Sequence, residues 1–183
     1  MIPAITLTGI AIAYSYMSGP HNNTPVKASD GNSYKVQDLP DKHQAAERMS
    51  RIRSNLVKVC DHCKDFKEEP YERLVSRFDP NVLEENDVNA TTTSYSENKG
   101  EKIVVCLRDK KPPYPFVDEN TVMFVLIHEM AHLMTASIGH TPEFWTNMRR
   151  LLQECIRLGV YKSVNYAKNP VEYCGMTITD TPL

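Results

Sequence analysis

The pentapeptide His128-Glu129-Met130-Ala131-His132 constrains this chain more than any other feature. On a helix, residues four apart project from one face, so both imidazoles reach toward a single point. Glu129 lies beside that point, where it takes a proton from water activated by an ion held there. Two histidines and a carboxylate within an otherwise apolar helix are costly to bury without a partner. Chance placement gives about 0.01 such matches in a chain of this composition. Asp118-Glu119-Asn120 offers a helix start, and Val122, Val125, Leu126 and Met130 an apolar face to pack on a sheet. Gly139 offers a helix stop.

A catalytic zinc site wants three protein ligands and an open fourth position. His140 is the expected third ligand, giving the spacing HExxH-x7-H. It precedes a new helix start, with Thr141 as N-cap, Pro142 at the first position and Glu143 complementing the dipole. Glu143, Glu154 and Glu172 are the competing carboxylate ligands.

The 183 residues are 41% hydrophobic and 24% charged, which suits one globular domain and excludes a disordered chain or a polytopic membrane protein. A net charge of -2 leaves no global basic field for nucleic acid. Five cysteines, an odd and modest number, argue against a disulfide scaffold and for a reducing compartment. Cys60 and Cys63 form a C-x2-C, but the second half of a zinc knuckle is missing, so they read as buried free thiols.

Upstream, an amphipathic helix is expected over Asp41 to Phe66, with Ala45, Met49, Ile52, Leu56, Val59 and Cys63 as its apolar stripe. Between Lys42 and Lys67 seven bases stand against three acids. Any nucleic-acid contact would have to use this local basic helix, whose bland reading is a solvated face. A short helix over Tyr71 to Arg77 follows. Thr91 to Glu97 and Lys102 to Leu107 are β-prone and joined by Asn98-Lys99-Gly100, which predicts a hairpin in a small antiparallel sheet. The last helix is expected over Thr141 to Leu158. Trp145 reads as core rather than cleft, and Tyr161, Tyr166 and Tyr173 are candidates to stabilise an oxyanion.

Residues Ile2 to Met17 carry no charge. This run reads as a membrane anchor ahead of a core element or a cleaved signal. Lys27 and Lys35 after it would then place the folded domain on the cytosolic side. The expected organisation is an apolar segment over 1–18, a polar linker over 19–40, and the catalytic domain over 41–183. The localisation that follows is membrane-associated or virion, with a soluble cytoplasmic protein as the alternative.

The stretch VLIHEMAHLMTASIGHTPEFW resembles the SprT-like and WLM-type zinc metallopeptidases, in which a further His follows the HExxH helix just before another helix. From about Thr93 to the end the chain is also similar to uncharacterised HExxH proteins of large DNA viruses. The resemblance implies an α+β zincin-like fold, Zn2+ on His128, His132 and His140, Glu129 as catalytic base, and a protein or peptide substrate. The characterised relatives cleave proteins, notably proteins crosslinked to DNA, and carry separate binding tails. The rival class is a membrane-anchored structural or virion protein whose zinc site needs no turnover.

Overall fold

The computed structural model describes residues 23–183. The apolar run over residues 2–17, read above as an anchor, lies outside them. Among the described residues, no helix is long and apolar enough to cross a membrane.

The order of elements is β1 (Asn23–Lys27), β2 (Ser33–Gln37), α1 (Lys42–Cys63), α2 (Glu69–Arg77), β3 (Leu83–Glu85), β4 (Tyr95–Glu97), β5 (Lys102–Val105), α3 (Glu119–Met134), α4 (Pro142–Arg157), β6 (Val171–Tyr173) and β7 (Met176–Ile178). This is the expected α+β class. The main sheet has the order β1-β2-β3-β5-β4, and β6 and β7 form a separate hairpin. The sheet is mixed rather than antiparallel, because β3 runs parallel to both β2 and β5. Helices α1 and α2 lie between β2 and β3 in the chain, and such a long crossover permits parallel pairing.

The segment expected to be a linker contributes two strands. β1 and β2 pair antiparallel from Asn23↔Gln37 to Lys27↔Ser33. Their alternation puts Val26, Tyr34 and Val36 into the core, all at most 6% exposed. Asp30-Gly31, within the segment expected to be a linker, lies in the hairpin turn, with Gly31 at φ 85°. The folded unit thus begins at least as early as Asn23, and a chain starting at Asp41 would lack two of its five main-sheet strands.

Helix α1 buries the expected stripe, Ala45, Met49, Ile52, Leu56, Val59 and Cys63, together with Ala46 and Cys60. Its bases are engaged within the molecule. Arg48 donates to the Val117 carbonyl and lies over the Phe116 ring, Arg51 pairs with Glu119, and Lys58 caps the Leu158 carbonyl. Cys60 and Cys63 are free and buried, as expected, and so is Cys155. Cys106 and Cys174 form a disulfide across 68 residues, which the cysteine count had argued against. It fastens the segment after β5 to the β6–β7 hairpin. Tyr173 reinforces that junction, donating to the Cys106 carbonyl at 2.9 Å and meeting the Ser94 hydroxyl at 2.6 Å.

The β4–β5 turn packs against the end of α2 through Gly100. A Cβ there would lie 2.4 Å from the Arg77 carbonyl oxygen, and its φ is 113°, so only glycine fits.

Candidate metal centre

The helix that carries His128, Glu129 and His132 is almost entirely buried. Eleven of its 16 residues line the core, Glu129 among them. Asp118 caps it, accepting from the Thr121 amide at 2.9 Å. It ends at Met134, five residues before the glycine expected to stop it. Thr135 is extended (φ -96°, ψ 136°) and completely buried. Its hydroxyl donates to the Ala131 carbonyl at 2.7 Å and accepts from Asn147 at 3.0 Å. Three cations cover the free carbonyls. Arg77 donates to Leu133 at 2.8 Å, Arg73 to Met134 at 3.1 Å, and Lys99 to Thr135 and Ala136 at 2.9 and 3.0 Å. Positive groups at this end also complement the helix dipole.

The three histidines converge. His128 Nε2 lies 3.2 Å from His132 Nε2 and 3.0 Å from His140 Nε2. Among the described residues this trio is the one group of side chains placed to hold a metal, with its ligand atoms within 4.8 Å of one another. Nitrogens at ~2.0–2.1 Å from a tetrahedral zinc lie about 3.3–3.4 Å apart, close to these separations. The donor state also fits. Burial lowers the His128 pKa to about 3 and the His132 pKa to about 4, helped by the neighbouring imidazoles. Neutral imidazoles offer lone pairs, and one cation satisfies all three where a hydrogen bond satisfies one pair.

Phe144, fully buried in the first turn of α4, floors the cluster. Its ring centroid lies 4.3 Å from that of His132 and 4.8 Å from those of His128 and His140. Trp145 is not core. It is 42% exposed, lies 5.4 Å from the His140 ring and lines the cleft. The competing carboxylates stand elsewhere. Glu154 binds His62 and Arg157, Glu172 meets Thr177, and Glu143 holds the amides of residues 136 and 137.

Glu129 is 9% exposed and its Oε2 accepts from the Ser96 amide at 3.0 Å and the Ser96 hydroxyl at 3.1 Å. Burial raises its pKa to about 7, against the lowering effect of those two bonds. Ser96 sits on β4, the edge strand, opposite Ile103. The sheet edge therefore meets the carboxylate directly, a contact that no local pattern around Ser96 announces.

The site opens into a cleft of about 970 Å³. Phe124, Val125, Trp145 and Met148 line one side, and Met176 to Leu183 the other. The second wall consists of β7 of the disulfide-bonded hairpin and the residues after it, where Arg149 donates to the Pro182 carbonyl at 2.6 Å. Among the described residues, no tyrosine lines the cleft. Tyr161, Tyr166 and Tyr173 are each at most 2% exposed, so none of the three oxyanion candidates faces it.

The chain is 34% identical over 154 residues to an uncharacterized protein of Acanthamoeba polyphaga mimivirus, covering 81% of this chain and 78% of the relative. It is 32% identical over 96 residues to an uncharacterized protein of Invertebrate iridescent virus 6, covering 51% and 52% of the two chains. In structure it resembles Wss1 from Saccharomyces cerevisiae, with a TM-score of 0.52 at 19% identity over 68% of this chain and 86% of the other. A mutant of the same protein gives a TM-score of 0.53 at 18% identity, covering 69% and 91%. At such identity the likeness concerns the fold. The WLM domain model matches residues 29–179, reaching back into the β1–β2 hairpin and forward through β7. The chain belongs to the WLM domain family.

Proposed function

We propose that this chain is a zinc-dependent peptidase acting on protein substrates, with His128, His132 and His140 as metal ligands and Glu129 as general base. The observation that carries the reading is the meeting of three imidazoles and a buried carboxylate at one open cleft. Membership of the WLM family supports a metalloprotease-type function.

Zinc, when bound, supplies a Lewis acid and lowers the pKa of water toward ~7. The chain's own residues do the rest. Glu129 takes the proton from the attacking water and delivers it to the departing amine. Ser96 orients the carboxylate from the side of the sheet. Phe144 keeps water from beneath the imidazoles. The edge of β4 offers backbone groups to an extended substrate, which would add as a further strand. The apolar wall from Phe124 to Met148 gives such a strand somewhere to bury side chains. A structural zinc site does not need a base. The retained Glu129, in reach of the cleft, favours turnover over the rival reading of a membrane-anchored structural protein.

The test is Glu129→Gln in the full chain, assayed on unfolded protein with zinc content measured alongside. The amide cannot accept the proton, so hydrolysis falls by roughly 10³-fold or more while about one zinc per chain is retained. An active Gln variant would remove Glu129 from the role of base.

A further inference from the structure

His140 is carried differently from the other two histidines. His128 and His132 sit one turn apart on a rigid buried helix. His140 sits on the connection between Met134 and Pro142, and is exposed. Its neighbour Ile138 is 90% exposed, and Gly139 has φ 82° with nothing near its Cβ position. The His140 ring meets Phe144 and Trp145, but Ile138 and Gly139 before it give its backbone little packing.

What holds the connection is one carboxylate from the helix that follows. Glu143 Oε1 accepts from the Ala136 amide at 3.0 Å. Its Oε2 accepts from the Ser137 amide at 3.1 Å and the Ser137 hydroxyl at 2.7 Å. The Ser137 hydroxyl also lies 2.7 Å from Thr141 Oγ1, the cap of α4. Arg73, which already holds the Met134 carbonyl, reaches Glu143 Oε1 at 3.4 Å. The first residues of the connection are thereby stapled to the first turn of α4, leaving Ile138 to Thr141 as a short closed loop. Both oxygens of Glu143 point at the loop backbone and away from the histidine group.

We infer that Glu143 is a positioning residue that sets metal affinity by fixing the loop that presents His140. This inference rests on the three-histidine reading above. A carboxylate is suited to the task, since it accepts two convergent amides and a hydroxyl with charge-assisted bonds. A seven-residue connection without it samples many conformations, and the entropy of ordering His140 would then be lost from the binding free energy. The staple settles that cost on folding, before the metal arrives.

The experiment compares zinc affinity of the full chain, by competition with a chromophoric chelator, for the parent, His140→Ala, Glu143→Ala and Glu143→Gln. Metal-free thermal melting is recorded in parallel, and affinities are read well below every melting temperature. The expected order of weakening is His140→Ala, then Glu143→Ala, then Glu143→Gln. Glu143→Ala should lose roughly 10–100-fold, the usual range for residues that orient ligands. The near-isosteric Gln keeps one acceptor oxygen but turns an N–H toward an amide, and so gives a smaller loss. It also supplies the reading if the Ala variant does not fold. X-ray absorption of the zinc-loaded parent should show three histidine nitrogens and no Glu143 oxygen. Parent-like affinity in both Glu143 variants, or a Glu143 oxygen on the metal, overturns the positioning role alone. A parent without zinc affinity, or His140→Ala with parent affinity, overturns the three-histidine reading itself.

Discussion

Among the described residues, the polar clusters around Arg108 and around His128 are built on opposite plans. Around Arg108 opposite charges meet. Its guanidinium is 1% exposed, donates to Glu85 at 2.8 Å and to both oxygens of Asp41 at 2.6 and 2.7 Å, and lies 4.2 Å from the Phe116 ring centroid. The second oxygen of Glu85 accepts the Gln37 amide at 2.7 Å. Burial nevertheless pushes the Glu85 pKa up, with Arg108 the largest opposing influence. Around His128 nothing is matched. Three imidazole nitrogens face one another, and Glu129 beside them is engaged with Ser96. The first cluster joins α1, the end of β3 and the segment after β5 into one body. The second, on the proposed reading, is completed by a cation. A closed polar cluster serves the fold, and an open one at the floor of a cleft serves chemistry.

The sharpest way to break this contrast is Arg108→Met. Removing one partner of a buried pair strands the other charge, so the metal-free protein should lose about 3–5 kcal/mol in chemical denaturation. Adding Glu85→Gln should recover part of that loss, because the stranded charge is gone. A loss under about 1 kcal/mol would mean that the cluster is not holding the fold.

His140→Ala probes the other cluster. Its side chain is exposed, so metal-free stability should change by no more than about 0.5 kcal/mol. Zinc at 1,000 times its Kd stabilises a parent chain by about 4.1 kcal/mol, and the variant should lose most of this at the same zinc concentration. Equal zinc-induced melting shifts in parent and variant would show that His140 is no part of the open cluster.

The smallest effect is pH-dependent. Three hydrogen bonds from Ala136 and Ser137 lower the Glu143 pKa from 4.5 to about 2. A group whose folded pKa is depressed stabilises the fold above its unfolded value and loses that contribution as pH falls through the folded one. The metal-free parent should therefore lose stability between about pH 4.5 and 2, and Glu143→Gln should flatten part of that slope. Solvent screening keeps the difference small, since the side chain is 37% exposed. Identical slopes in the two proteins would count against the staple.

The amphipathic stripe of α1, the cap at Asp118, the Asn98-Lys99-Gly100 turn and the HExxH helix were all legible in the sequence. Each is a local pattern with a period or a cap that states its own geometry. His140 was legible because helix-start signals follow it directly. Strands β1 to β3 were not, since each has five residues or fewer and their sequences are largely polar, with a proline in β1, so that they resemble linkers. Their place in the sheet comes from pairing across long sequence separations, as when β3 aligns beside β5.

The sequence by itself determined which atoms could bind a metal and which carboxylate could serve as base, because side-chain chemistry and helical spacing belong to the chain. Only the tertiary structure decided the rest. It ended α3 at Met134 by bringing Arg73, Arg77 and Lys99 to its carbonyls, where the local sequence pointed to Gly139. It set Ser96 against Glu129, Phe144 beneath the imidazoles and Glu143 on the His140 loop. It paired Cys106 with Cys174 and buried the three tyrosines that sequence offered to the cleft. Each of these depends on which surfaces exclude water together, a property of the packed whole that no short window of residues carries.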